Sequence, residues 1–430
     1  MNNPGWLRKA LIVLILIISI SSAFLYFAFN KGLYKAPEIE YSSIFIENAL
    51  VFTGLNREIK QENILIRGED IACMGKDCEK PEGAIFIDAT DLAVMPALSD
   101  LGVQFYRISG ENRGLSSFEQ FISFTRQRPE VRKNFHRAGI SNIRSVGDAP
   151  QNILVLKEQI ESSKLLGPRI YAAGLMITAP GGHPIATEYK GNEFMLNNGV
   201  RILQNSKEIP ALLADLAGQK IDGLKIVYRS YGGKYPILQT DLLEKLIEAG
   251  KEKGFWISVL TGSNQEVRDA VLAGAESIEF GTEESLDSSL VALIKEKESL
   301  YIPMLSSLEA DEQALSRQME NVRKLIEAGA QIGVASDNPP YQRFGISLQR
   351  ELELLAQADM PPSEILKMAS LGAAISLKAD DRWGSLEEGK LADILICEGK
   401  PWENISDIKK VQYLIQEGSL IMQKGALVED

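Results

Sequence analysis

Residues 94–105, Val-Met-Pro-Ala-Leu-Ser-Asp-Leu-Gly-Val-Gln-Phe, constrain the fold more than any other stretch of the chain. Five of the first six residues are apolar or proline, a pattern typical of a strand covered on both faces, such as the opening strand of a parallel barrel. Active sites of such barrels lie at the carboxyl ends of the strands. We therefore expect a functional site to begin at residues 100–104.

Strand-like and helix-like segments alternate after this stretch, as a (β/α) barrel requires. The candidate strands are 142–146, 169–173, 223–227, 256–260, 277–280, 301–304 and 331–335. Amphipathic stretches between them predict helices, for example over 242–252, 264–273 and 311–328. We predict a TIM-like (β/α)8 barrel over residues 96–383.

Short alternating apolar runs precede and follow the predicted barrel. Those between residues 44 and 93 are separated by turn signals and predict part of a small antiparallel β-sandwich. Apolar runs near residues 394–396 and 411–421 predict the rest. The sandwich is thus expected to be split, with one half in residues 36–95 and the other in residues 384–430.

The N-terminus carries a long apolar segment. Residues 10–29 are almost unbroken Leu, Ile, Val, Phe and Ala, enough to span about 30 Å of hydrocarbon as a helix. A cleaved signal peptide has a shorter apolar core, so we predict a transmembrane helix or uncleaved signal anchor in residues 1–35. Arg8 and Lys9 favour a cytoplasmic N-terminus. The expected localisation is a single-pass membrane protein whose soluble part is extracytoplasmic, in the periplasm if the source is bacterial.

Charge and cysteine content narrow the possible partners. A net charge of −12 argues against nucleic-acid binding, which needs a basic face. We expect a small-molecule ligand or a membrane-associated protein as partner.

Cys73 and Cys78 lie five positions apart; they can form a disulfide in an oxidising compartment or remain two buried thiols.

Two motifs resemble the amidohydrolase superfamily, in particular its imidazolonepropionase-like and prolidase-like members. Residues 96–104 are similar to the family's Pro-Gly-Leu-Ile-Asp-x-His-x-His, and residues 384–393, Gly-Ser-Leu-Glu-Glu-Gly-Lys-Leu-Ala-Asp, are similar to its closing sequence. The resemblance implies a barrel with a split sandwich. It also implies metal-dependent hydrolysis of carbon–nitrogen bonds other than peptide bonds, or of a dipeptide in the prolidase-like branch.

Most of the family's metal-ligand positions hold other residues in this chain. By motif matching, Gly102 and Gln104 replace the two histidines of strand one, Leu260 and Gly262 those of strand five, and Phe280 the histidine of strand six. The chain has 2 histidines in total, whereas a two-metal site of this type uses four. We expect no metal cofactor.

Other family positions are retained. Lys225 matches the lysine that is carbamylated in metal-containing relatives, and here we expect a free ammonium. Asp337 matches the acid of strand eight, a general base in the family, and is expected to be the counter-ion of Lys225. His183, in a Gly-Gly-His loop, is expected to contact a ligand together with Tyr228 and Gln104.

Three functional hypotheses follow. The first is a membrane-anchored amidohydrolase-like protein with a degraded metal site, a pseudoenzyme that binds a ligand or partner at the barrel mouth. The second is an active C–N hydrolase that uses Asp100, Gln104, Asp337 and His183 around one metal ion such as zinc, or without metal. The third is a structural scaffold of a membrane complex.

Overall fold

The computed structural model describes residues 34–35, 43–105, 129–337 and 344–428, together with Val13 and Ser19. Its strands, numbered in chain order, are β1 Ser43–Phe52, β2 Ile59–Arg67, β3 Asp70–Met74, β4 Ile85–Asp88, β5 Leu92–Pro96, β6 Leu98–Val103, β7 Ile140–Ser145, β8 Arg169–Ala172, β9 Met176–Thr178, β10 Val200–Ile202, β11 Gly223–Val227, β12 Trp256–Leu260, β13 Ser277–Glu279, β14 Leu300–Ile302, β15 Ile394–Glu398, β16 Val411–Gln416, β17 Ser419–Gln423 and β18 Ala426–Leu427. Its α-helices are 129–137, Pro150–Glu161, Glu193–Asn198, Ile209–Gly218, Thr240–Glu252, Asn264–Leu272, Ser288–Glu296, Glu312–Ala328, Ile346–Gln357, Pro362–Lys367 and Ala373–Ser376.

Parallel strands close into a barrel through three backbone junctions. The sheet β6-β7-β8 meets the sheet that contains β11 to β14 where the Asp222 amide donates to the Ala172 carbonyl at 2.9 Å. On the other side Tyr301 of β14 forms a parallel bridge with Ile332. The Leu101 amide then donates to the carbonyl of residue 334 at 3.1 Å, which completes the ring. We call β6, β7, β8, β11, β12, β13 and β14 barrel strands one to seven, and the segment around Ile332 strand eight.

This ring confirms the prediction of a TIM-barrel-like α/β fold. Barrel strands four and five have the predicted bounds, and strands two, three, six and seven differ from them by one or two residues at an end. Strand eight is reduced from the predicted 331–335 to one bridge at Ile332. Its backbone is still held on both sides, by hydrogen bonds to Tyr301 and Leu101.

Side-chain alternation decides which residues face the barrel interior. All five residues of β11 are buried. Leu224 and Ile226 pack in the layer between barrel and helices, with Leu243 and Leu246 of the helix Thr240–Glu252. Because successive strand residues point to opposite faces, Lys225 between them points into the barrel.

Nine strands from the two ends of the chain, β1–β5 and β15–β18, form one continuous sheet, which is mixed and not purely antiparallel as predicted. β1 pairs in parallel with β4 over Ile44–Glu47 and with β5 over Leu50–Val51, while β15 pairs antiparallel with β5. A bulge after Ile46 separates the two halves of β1 and allows this double pairing. Strands from both ends of the chain therefore share one sheet and one apolar core. The segment boundaries at residues 95 and 383 stay predictions.

A buried histidine ties this sheet to the barrel. His136, at the end of the helix before strand two, accepts from the Tyr34 hydroxyl at Nδ1 (2.8 Å) and donates from Nε2 to Oε1 of Gln416 in β16 (3.0 Å). Gln416 in turn donates to the Gly167 carbonyl at 3.0 Å. His136 is fully buried, and burial lowers its pKa to about 4.

The described residues contain no helix that is both long and apolar enough to cross a bilayer. This finding contradicts the prediction of a single-pass membrane protein with an extracytoplasmic soluble part, and we withdraw it. The segment 10–29 on which the prediction rested lies outside the described residues, except for Val13 and Ser19.

Of the two alternatives left open for the cysteines, the structure has the disulfide. Cys73 in β3 is bonded to Cys78 in the turn that follows this strand, and Cys397 is a free, buried thiol.

Gly223 marks a position at the start of barrel strand four where the backbone must lie against an aromatic ring. A Cβ there would overlap the indole ring of Trp256, which is 2% exposed. We expect Gly223→Ala to lower the free energy of unfolding by about 1–3 kcal/mol, because the packed ring has to move. Gly218→Ala is the matched control: a Cβ at this helical position meets nothing within 4 Å, so the change should be neutral or stabilising. If urea denaturation showed an equal decrease in unfolding free energy for both variants, this interpretation would be contradicted.

The pKa of His136 predicts a specific loss of stability in acid. The folded protein keeps the ring neutral down to about pH 4, whereas the unfolded chain protonates it near pH 6.5. Unfolding therefore takes up a proton in this interval, and stability falls as the pH drops, by about 3 kcal/mol in total. His136→Gln removes this contribution. The difference in unfolding free energy between wild type and variant, measured from pH 7 to pH 4, should shrink accordingly; a constant difference would disprove the assignment.

Candidate functional site

A buried carboxylate with two cationic partners lies inside the barrel. Glu279 of strand six forms an ion pair with Lys225 of strand four and accepts from Nη2 of Arg144 of strand two at 2.9 Å. Their side chains are between 1% and 2% exposed. Even-numbered strands contribute side chains to a common layer of such barrels, which is how three distant segments meet. The structure thus shows Glu279 in the counter-ion role that the sequence analysis gave to Asp337.

Further hydrogen bonds hold this charge cluster. The Ser258 hydroxyl of strand five also donates to Glu279. Arg144 donates from Nε to the Leu101 carbonyl at 2.6 Å and from Nη1 to the Ser277 hydroxyl at 3.1 Å. Burial lowers the pKa of Arg144 to about 9, so it remains a cation near neutral pH. Lys225 and Arg144 therefore share one buried carboxylate, that of Glu279.

The retained acids lie where strands one and eight meet. Asp100 accepts from the amides of Gly102 (3.1 Å) and Ser336 (3.0 Å) and from the Ser336 hydroxyl (2.5 Å). Burial, and to a smaller extent the nearby Asp337 carboxylate, raises the pKa of Asp100 to about 6. Asp337 is partly exposed, and its backbone has a left-handed conformation with φ of 52°.

A further buried carboxyl, that of Glu351, was not named by the sequence analysis. It accepts from the amides of Leu305 (2.9 Å) and Ser306 (2.6 Å), just beyond strand seven. Burial raises its pKa to about 7. This carboxyl supports the strand-seven end of the mouth from the helix Ile346–Gln357.

The strand-one position Gly102 has no room for a side chain. A Cβ built on it would lie 2.8 Å from the Ala335 Cβ and 3.0 Å from the Met304 Cε. Gln104, two residues on, is 5% exposed at the end of the same strand. Side chains of strands seven and eight thus fill the space beside Gly102.

The strand-five and strand-six positions are covered by an arginine that the sequence analysis did not single out. A Cβ on Gly262 would lie 2.8 Å from Nε and 2.9 Å from Cγ of Arg229. The Arg229 guanidinium carbon lies 3.9 Å from the ring centroid of Phe280 and 4.3 Å from that of Tyr231. Its Nη2 forms an ion pair with Glu283. The only sequence signal was a cation four residues after Lys225, beyond the end of its strand.

Tyr228, one of the predicted ligand contacts, points away from the mouth. Its hydroxyl is hydrogen-bonded to Thr240 (3.3 Å) and Asp269 (3.2 Å) on the surrounding helices, and burial raises its pKa. Strand alternation explains this, since Tyr228 is three residues from the inward-pointing Lys225. The prediction that Tyr228 contacts a ligand at the mouth is therefore at odds with its position.

His183 lies in the loop after β9, beyond strand three, with its ring tilted against that of Tyr231. It is 3% exposed, its Nδ1 lies 2.6 Å from the Thr187 hydroxyl, and its ring centroid lies 5.3 Å from that of Tyr231. Through Tyr231 it adjoins Arg229 and Phe280. Its contact with a ligand stays a prediction, as do the roles of Gln104, Asp337 and Lys225.

Comparison with known proteins gives the family. The model of the amidohydrolase family matches residues 131–422 of the 430-residue chain. The chain therefore belongs to the amidohydrolase family, which confirms the resemblance stated above.

Individual relatives are more distant. The chain is 22% identical to imidazolonepropionase of Brevibacillus brevis over 284 residues, which cover 63% of this chain and 61% of that protein. It is 36% identical to imidazolonepropionase of Desulfotalea psychrophila over 94 residues, 22% of this chain and 23% of that protein. The matches thus span less than two thirds of these relatives.

Solved structures cover more of the chain. A Xaa-Pro dipeptidase with methionine bound in its active site superposes with a TM-score of 0.77 at 25% identity, over 88% of this chain and 99% of that one. Ochratoxinase of A. niger superposes with a TM-score of 0.74 at 18% identity, over 90% of this chain and 97% of that one, a likeness of fold alone.

Proteins of this family are typically metal-dependent, but the side chains at this mouth do not fit a divalent ion. Gly102 and Gly262 offer no donor atom, Leu260 and Phe280 are apolar, and the Arg229 cation lies over two of these positions. Within the described ranges no three His, Cys, Asp or Glu residues are grouped so as to hold a metal. We assign no chemical step to a metal here.

The charge cluster predicts a large effect of removing its carboxylate. Glu279→Gln would leave Arg144 and Lys225 buried around a neutral amide, and we expect it to cost about 3–5 kcal/mol of unfolding free energy. Adding Lys225→Met should recover part of this loss. Glu283→Gln is the control, because Glu283 is the half-exposed partner of another ion pair, whose loss should cost less than about 1 kcal/mol. Similar denaturation midpoints for the two single variants would refute the role given to Glu279.

Proposed function

We propose that this amidohydrolase-family protein binds a small molecule at the mouth of its barrel and has lost the metal-dependent hydrolysis of its relatives. One observation supports this proposal: Gly102, Gly262 and Phe280, which motif matching assigns to the family's ligand positions, are packed against the protein's own side chains. Restoring a histidine at Gly102 or Gly262 would require Met304 or Arg229 to move. A bound metal ion lowers the pKa of its water to about 7, far below that of bulk water, so loss of the ion removes the nucleophile.

Backbone conformation at the mouth supports a retained binding role. Tyr231, Phe280, Met304 and Asp337 have φ between 52° and 65° and follow strands four, six, seven and eight. For residues other than glycine this left-handed conformation costs about 1–2 kcal/mol each. Such costs concentrate at functional sites. Four of the thirteen described non-glycine residues with positive φ thus follow strands at the mouth, which is in line with a binding role there.

The relatives indicate which ligands to try. Imidazolonepropionase and a Xaa-Pro dipeptidase are among the proteins similar to this chain, and the dipeptidase carries methionine in its active site. We therefore propose a small amino-acid-like or dipeptide-like ligand. L-methionine and the dipeptide Met-Pro are suitable probes.

The proposal is tested by metal analysis and a hydrolysis assay on the full chain. We expect substoichiometric zinc, manganese and iron after purification in their presence, no cleavage of Met-Pro, and a thermal shift with L-methionine or Met-Pro that a chelator leaves unchanged. Stoichiometric metal that disappears together with Met-Pro cleavage in Asp337→Asn would overturn the proposal in favour of an active C–N hydrolase. Asp91→Asn is the matched control, an exposed aspartate with φ of 61° in the turn before β5. Absence of any thermal shift with either probe would equally count against ligand binding.

A further inference from the structure

The Arg229 side chain places a positive charge at the mouth of the barrel. Arg229 follows strand four by two residues, and its side chain runs over Gly262 of the strand-five segment to the ring of Phe280 after strand six. These are two of the positions at which the family resemblance places metal ligands. A side chain on residue 262 and the present path of Arg229 exclude each other, since a Cβ would come within 2.8 Å of Nε.

The guanidinium is fixed in orientation. The rings of Tyr231 and Phe280 lie 4.3 Å and 3.9 Å from its central carbon, so it is stacked against two aromatic groups. His183 adds a further ring behind Tyr231, at 5.3 Å between centroids. A guanidinium held in this way keeps a constant direction for its N–H groups, which lowers the entropic cost of binding a planar anion.

Its hydrogen-bonding capacity is only partly used. Nη2 is paired with Glu283, and Nε is buried over Gly262 without an acceptor among the described residues. The Arg229 side chain remains 11% exposed and its Glu283 partner 49% exposed. A carboxylate from the solvent side can therefore reach this guanidinium, either beside Glu283 or in its place. Glu283 itself demonstrates that the exposed edge accepts a carboxylate.

Resting on the proposed function, we infer that Arg229 replaces the family's metal ion as the positive charge of the mouth and binds the carboxylate of a small-molecule ligand. Planar guanidinium and carboxylate groups match in a bidentate pair, a contact stronger than an ordinary hydrogen bond. The ligand class is thus a carboxylic acid, such as an amino acid or a dipeptide with a free carboxyl terminus. Glu283 acts as an internal competitor for the same group.

Calorimetric titration with two pairs of probes tests this inference, namely L-methionine against L-methioninamide and Met-Pro against its C-terminal amide. The wild type should prefer each acid over its amide. Arg229→Lys keeps the charge but loses the planar fork, so it should weaken binding of the acid by about 10- to 100-fold. Glu283→Gln removes the competitor and should tighten binding of the acid without changing that of the amide.

The Glu283→Gln variant distinguishes carboxylate binding by Arg229 from a purely structural role of this residue. If Arg229→Lys merely disturbs the fold, Glu283→Gln will not improve affinity, and the inference falls. The exposed pair formed by Arg323 and Asp359 provides matched controls, since Arg323→Met and Asp359→Asn should leave binding of the acid unchanged. Equal affinity of the wild type for acid and amide, or no binding of either acid, would overturn the inference. Equal affinity would leave the proposed function standing, whereas metal-dependent cleavage of Met-Pro would instead overturn that function.

Discussion

The pairing of Glu279 with Lys225 and Arg144 is the interaction on which the interior of the barrel depends. Three charged side chains from strands two, four and six are almost fully buried there, where an unpaired charge is costly. Each is therefore compensated within the layer, with serine hydroxyls and a backbone carbonyl completing the shell. In this arrangement Lys225 is paired with Glu279 inside the barrel.

At the mouth above this layer, space is likewise filled and charge is paired by the protein's own side chains. Apolar side chains occupy the space beside Gly102, and Arg229 occupies the space beside Gly262. The arginine is in turn balanced by Glu283 and by two aromatic rings. A chain without the family's histidines would otherwise leave cavities and unpaired carboxylates at this end, and both reduce stability. The space beside both glycines is thus filled by the protein's own side chains.

Much of the fold could be predicted from the sequence, but the contacts between residues far apart in the chain could not. Alternation of strand-like and helix-like segments identified the barrel strands, and strands four and five were found with their observed bounds. The outer sheet was described as antiparallel because alternation shows which face a residue takes and not which strand lies beside it. The double parallel pairing of β1 depends on a bulge after Ile46 that has no clear sequence signature. The apolar N-terminal segment led to a membrane assignment that the described helices do not support.

By itself the sequence determined that this is an amidohydrolase-type barrel with two histidines, because motifs are local and survive as patterns. The assignment of Gly102, Leu260, Gly262 and Phe280 to the family's ligand positions stays a prediction. Only the tertiary structure decided that Lys225 is paired with Glu279, that Tyr228 is turned toward the helices, and that Arg229 covers the vacated positions. The physical reason is distance along the chain. Residues 225 and 279, or 229 and 262, meet only because barrel closure brings their strands together, and no local pattern records which side chain will fill a space opened by another.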